Sequence, residues 1–263
     1  MKFIAGSSRI FICCILSIIL FSFILLGSCY HKEPLYSFNI SSGGVMIGSS
    51  CYYLAQVREY RNPKGISRFP DGGQTKEIRQ LFGLFRTDTI HNTTVLATRF
   101  GDVHGWPVRY KTRLDKNDSL ISIGIVNINL ADSVNGIYLY NFDSGKTLKY
   151  SAAKALPSLS KTGTQIAYCN NKTVLVEDYS SNTSTARYLL ETEPVFIDWE
   201  IENGILLFCS DPFRVMKLDL RTGTVSSSDM KYIANYSQEL GVTEIRSIVS
   251  KSIPDLEKLL DNN

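Results

Sequence analysis

Across residues 45–226 short apolar runs with a period of two alternate with clusters of Gly, Asn, Asp and Ser, a pattern that predicts strands joined by hairpins. Runs at 45–47 and 52–60 flank Gly48-Ser49-Ser50. Runs at 81–86 and 94–100 follow a stretch, 62–76, crowded with proline and glycine. Its Pro70-Asp71-Gly72-Gly73 is a strong turn signal, because proline presets φ and glycine accepts positive φ. Residues 106–112, 120–128, 136–142 and 147–150 continue the series. Beyond Ser226 the period changes. Apolar residues recur three or four apart at 230–240, 243–250 and 254–260, which predicts short C-terminal helices expected to cover an open sheet edge.

A repeat underlies the strands. Residues 156–168 read as strand, glycine turn, strand, and 195–208 read the same way, with Gly204 answering Gly163 at 41 residues and Cys209 answering Cys169 at 40. A period of roughly 40–45 residues carrying four short strands is that of a propeller blade, and blades stack because none buries both faces alone. The expectation is an all-β fold, a small β-propeller of about four blades at 44–100, 105–150, 156–190 and 194–226. A β-sandwich is the alternative, since evenly spaced short strands suit it as well. The segment Pro157-Ser-Leu-Ser-Lys-Thr-Gly-Thr-Gln-Ile-Ala-Tyr168 resembles the repeat of TolB-type and WD-like bacterial β-propellers, with Leu159 where Trp is usual and Lys161-Thr162 in place of Pro-Asp.

The N-terminus has its own grammar. Lys2 and Arg9 precede an uncharged apolar run, 10–26, and Leu26-Gly27-Ser28-Cys29 closes it. That quartet resembles the lipobox of bacterial lipoproteins. The resemblance implies lipidation of Cys29, loss of residues 1–28 as a signal peptide, and stable attachment to a membrane by more than one acyl chain. Retention of 10–26 as a single membrane span is the alternative. Residues 29–43 are expected to be a lipidated tether, 44–228 the propeller-like domain and 229–263 the helical tail. Tyr30, not Asp, follows the cysteine, so the resemblance implies the outer membrane in a Gram-negative cell.

Charge and cysteines add exclusions. The chain has 28 Lys plus Arg against 25 Asp plus Glu, and the surplus is spread thinly, so no nucleic-acid footprint is expected. Of six cysteines, Cys51, Cys169 and Cys209 belong to the domain and read as free, buried thiols. Beyond residue 28 no close Cys or His pair of the Cys-x-x-Cys kind occurs, so neither metal nor cofactor is expected. The acidic turn Asp115-Lys-Asn-Asp118 lacks the calcium-loop ligand series and reads as a solvated hairpin tip.

Asp102-Val-His104-Gly-Trp106 sets a carboxylate near an imidazole, but no Gly-x-Ser-x-Gly elbow supplies a nucleophile, so no catalytic residue is assigned. Tyr52, Tyr53, Tyr138, Tyr140, Phe196, Trp199 and Phe208 read as core. Candidate binding residues are Arg68 and Phe69, beside the Pro-Asp-Gly-Gly turn of a stretch the later blades lack, and His104 and Trp106. These features lead to the expectation of a non-enzymatic, membrane-anchored envelope lipoprotein that binds a protein partner. A receptor or enzyme with a site on the propeller loops, and a purely structural surface lipoprotein, are the alternatives.

Overall fold

The computed structural model describes residues 34–61, 76–101, 110–127, 134–161, 164–181, 183–192, 196–199, 204–211, 214–227 and 240–261. The strands of these residues form four antiparallel sheets, each of four strands consecutive in the chain. The first holds β1 (Leu35–Ile47), β2 (Ser50–Arg61), β3 (Lys76–Asp88) and β4 (Thr93–Gly101). The second holds β5 (Tyr110–Lys116), β6 (Leu120–Asn127), β7 (Gly136–Asn141) and β8 (Lys146–Ser151). The third holds β9 (Ser158–Leu159), β10 (Gln165–Asn170), β11 (Thr173–Asp178) and β12 (Thr183–Leu189). The fourth holds β13 (Phe196–Trp199), β14 (Ile205–Asp211), β15 (Arg214–Asp219) and β16 (Val225–Ser227). Four successive meanders of this kind are propeller blades, as the strand pattern predicts. Two short helices, α1 (Val242–Val249) and α2 (Leu256–Asp261), follow.

The chain divides into two compact units, Met1–Tyr36 with Arg58–Arg79, and Ser37–Val57 with Gln80–Asn263. In the first, Arg58 and Glu59 are buried. Arg58 Nη1 lies 3.5 Å from Glu77 Oε2 and donates to the Tyr60 hydroxyl at 3.3 Å, and Arg79 Nε donates to Glu59 Oε2 at 2.5 Å. Burial of such charges is tolerable because each meets an opposite one.

The second unit buries its apolar residues between blades, and the alternation of side chains along a strand serves two neighbours at once. On β7, Tyr138 and Tyr140 join Val45, Leu54, Phe82, Ile123 and Ile125 in a cluster between blades 1 and 2. Ile137 and Leu139 point the other way and join Leu159, Ile166 and Tyr168 between blades 2 and 3. On β10, Ala167 turns from that cluster to Val174, Val176, Leu206 and Phe208 between blades 3 and 4. Tyr52, Tyr53, Tyr138, Tyr140 and Phe208 are therefore core, as expected. The side chains of Phe196 and Trp199 lie outside the described residues.

The face of blade 1 turned away from Val45 is met by the tail. Leu240 exchanges backbone hydrogen bonds with Gly44 of β1 at 2.9 and 3.2 Å. Ile245 of α1 is fully buried with its Cδ1 3.0 Å from where a Gly44 Cβ would lie. Beside it a hydroxyl chain runs from buried Tyr53 to Thr87 at 3.0 Å, to Thr94 at 2.7 Å and to Ser252 at 2.9 Å. Burial pushes the Tyr53 hydroxyl up to about 12. The helix expected at 230–240 falls almost wholly outside the described residues.

Three readings change. Strand β1 begins at Leu35, well before the strand expected at 45–47. Ser41 and Ser42 interrupt its apolar alternation, yet Ser41 Oγ donates to Leu54 O and Ser42 Oγ accepts from Leu54 N, so polar residues pair the strand to β2. Asp115 is not in water: it is buried against the next blade. Cys51 and Cys209 are buried, whereas Cys169 is only partly buried, and none of the three is in a disulfide.

Candidate functional site: the turn face

In every blade the turn from the third to the fourth strand opens on Asp or Asn, whose side chain accepts from backbone amides just ahead of it. Asp88 Oδ1 accepts from Ile90 and His91 at 2.8 and 3.1 Å, and Asn141 Oδ1 from Ser144 at 2.7 Å. Asp178 Oδ1 accepts from Ser180 and Ser181 at 2.9 and 3.0 Å, and Asp219 Oδ1 from Arg221 and Thr222 at 2.8 and 3.2 Å. Four residues after the acceptor the backbone is left-handed, at Asn92 (φ 50°), Gly145 (67°) and Gly223 (70°). Glycine and asparagine are the residues that enter this region at least cost.

The residue after the acceptor ties this turn to the first-to-second-strand turn of its blade. Thr89 N donates to Ser49 O at 2.9 Å, Tyr179 N to Thr164 O at 2.8 Å and Leu220 N to Gly204 O at 2.8 Å. Both sets of turns thus lie on one face of each of these blades, stitched before any ligand arrives. The bonds to their oxygens lower the carboxylates: Asp88 to about 2, mainly through the His91 side chain, and Asp178 well below its ordinary range through the Ser180 and Thr164 hydroxyls. Asp219 is lowered by the Arg221 and Thr222 amides.

A cavity of about 470 Å³ opens on this face where blades 1, 2 and 3 meet. Blade 1 supplies Met46, Ile47 and Gly48, blade 2 supplies Lys116, Asn117, Asp118 and Phe142, and blade 3 supplies Lys161. The walls are tied together. Lys116 Nζ donates to the Met46 carbonyl, and Asn117 Nδ2 donates to the Tyr179 hydroxyl at 3.1 Å. Under the wall, buried Asp115 Oδ2 accepts from Ser158 Oγ and Leu159 N, both at 2.9 Å. Its Oδ1 accepts from Lys161 Nζ at 3.0 Å and from Lys116 N at 2.9 Å. One carboxylate therefore sets the position of a loop on the next blade.

No protein-family model matches the chain, and no curated protein matches it. Among solved structures it is similar to Saccharomyces cerevisiae Sqt1, at 12% identity and a TM-score of 0.38 over 74% of this chain and 65% of that one. It is also similar to a chain of a mitotic checkpoint complex, at 11% identity and a TM-score of 0.40 over 67% of this chain and 46% of that one. The chain spans less than two thirds of either structure. The propeller assignment rests on strand order and inter-blade packing.

The residues singled out from sequence, Cys29, Arg68, Phe69, His104 and Trp106, all lie outside the described residues. The described histidine, His91, is exposed, its Nδ1 2.8 Å from Asp88 Oδ2. No group of three His, Cys, Asp or Glu that could hold a metal occurs among the described residues. Nor is any helix there long and apolar enough to cross a membrane. The cavity and the recurring turn acceptors are what sequence reasoning missed. A signal for the second was present: an Asp or Asn four residues ahead of a Gly or Asn in Asp88–Asn92, Asn141–Gly145 and Asp219–Gly223.

Proposed function

We propose that this chain is a lipid-anchored protein of the cell envelope whose propeller-like domain binds a protein partner through its turn face and catalyses no reaction. The observation that carries the reading is the stitching of the turns. Loops already held by side-chain and backbone bonds lose little entropy on binding, which favours a recognition surface. The anchor rests on the sequence quartet ending in Cys29, through which acyl chains would hold the propeller at a bilayer.

Two measurements test the two halves. Cys29→Ser should lose labelled-palmitate incorporation, and undiminished labelling would remove the lipid anchor. A photo-crosslinking residue placed in the full chain at Asp118 or Ser144, on the turn face, should capture a discrete partner in intact cells. The same residue at Asn171, in the turn between β10 and β11 at the other strand ends, should not. Equal capture from Asn171 would defeat the assignment of the face.

A further inference from the structure

The turn-face cavity is lined by Lys116, Lys161 and the Asp118 carboxylate, and the buried Asp115 carboxylate beneath the wall pairs with Lys161, so two lysines face two carboxylates and an incoming anion is met by the donors that Lys161 has left. Lys161 is anchored on Asp115 at 3.0 Å while its side chain remains 43% exposed. Lysine has three donors and Asp115 takes one, so the group is held in place with donors left for a ligand. Holding it beforehand removes much of the entropic cost of using a long side chain. Phe142 and Ile47 supply an apolar wall beside the charges. Asp118, exposed at the tip of its turn, limits the charge the site accepts: a dense anion meets its carboxylate as well as the lysines.

From this arrangement we infer that the cavity binds the side-chain carboxylate of an extended partner peptide, an Asp or Glu followed by an apolar residue that lies against Phe142. The cavity is open to the turn face, so a chain can run across it and present a side chain rather than its end. The inference rests on the turn face being the partner surface and assigns the chemistry that the surface selects.

The test uses the full chain in detergent micelles, with binding followed by the backbone amide resonances of Asn117 and Lys161. The probes are acetyl-Glu-Leu-amide, its Gln counterpart, acetyl-Gln-Leu with a free C-terminal carboxylate, and inorganic phosphate. The Glu peptide should shift both resonances and the Gln-amide peptide should not, with the shift fading as salt is raised. Asp118→Asn, at an exposed position that leaves the fold intact, should tighten the Glu peptide about two- to fivefold, and Lys161→Met should weaken it by a similar factor. Equal binding of the Glu and Gln-amide peptides, preference for phosphate or for the free C-terminus, or indifference to Asp118→Asn would each overturn the proposal. Partner crosslinking from Asp118 that persists while every peptide fails would reject this ligand class and leave the turn-face reading standing. Peptide binding without any crosslinked partner would reject that reading instead.

Discussion

The Asp115 carboxylate is surrounded by donors from two blades: the Lys116 amide from its own, and Ser158 Oγ, Leu159 N and Lys161 Nζ from the next. Replacing it with alanine leaves the Leu159 amide and the Ser158 hydroxyl buried without their acceptor. Asp115→Ala should therefore cost about 2–3 kcal/mol, while Lys161, whose ammonium reaches water, should tolerate removal with a loss of about 1 kcal/mol or less. Urea midpoints of the two variants measure this, and equal losses would show that the lysine, not the buried amide, dominates. Reactivity at the cysteines follows burial in the same way. Cys51 and Cys209 are enclosed while Cys169 is partly open, its Sγ near Asn171 O. Among these three, a thiol reagent should label Cys169 in the folded protein and the other two only after denaturation. Labelling of Cys51 at the rate of Cys169 would contradict the packing of β2.

Each third-to-fourth-strand turn is a local device, and in blades 1, 3 and 4 the acceptor is a carboxylate that makes the turn sensitive to acid. Asp88, Asp178 and Asp219 have folded pKa values lowered from 3.8, so the stability they add is present above that value and is lost as the pH falls through the lowered ones. Hydrogen exchange at Ile90, Ser180 and Arg221 should accelerate relative to Ser144, whose acceptor Asn141 does not titrate, as the pH drops from about 4 to about 2. Parallel behaviour at all four turns would mean that the carboxylates are not responsible. The tail is a second element with a local weak point. A Cβ on Gly44 would lie 2.8 Å from Tyr52 O and 3.0 Å from Ile245 Cδ1, so Gly44→Ala should lift α1 and cost about 1–3 kcal/mol. Ile245→Ala, at a fully buried position, should cost about 2–5 kcal/mol. Limited proteolysis reads both, since cleavage near residue 240 should speed up, and an unchanged rate would show that the helix is not held there.

The second unit holds together because apolar strand faces are shared between neighbouring blades. Tyr138 and Ile137, adjacent on β7, belong to clusters on opposite sides of blade 2, and Ala167 and Ile166 do the same on β10. Loss of one blade strips its neighbour of a core, which couples their unfolding. Phe208→Ala, between blades 3 and 4, should lower stability by about 3–5 kcal/mol and shift a single transition rather than release blade 4 separately. Coincident circular dichroism and fluorescence curves would bear this out, and an early partial transition would show that blade 4 is an autonomous unit.

Much of this architecture was legible along the chain. Alternation, turn residues and the 40-residue offset mark the strands, place the four blades and separate the helical tail, because period and turn preference are properties of a few neighbouring residues. The strand at Leu35–Ile47 was hidden, since Ser41 and Ser42 pair with Leu54 through hydroxyls that leave no apolar trace. The fate of Asp115 was equally invisible: a turn carboxylate is solvated or buried according to what the adjoining sheet presents, and here Ser158 and Leu159 present donors. The cavity had no linear signature at all. Ile47, Lys116, Phe142 and Lys161 come from three blades and meet only when the sheets stack, so local preference made the blades and packing between them made the site.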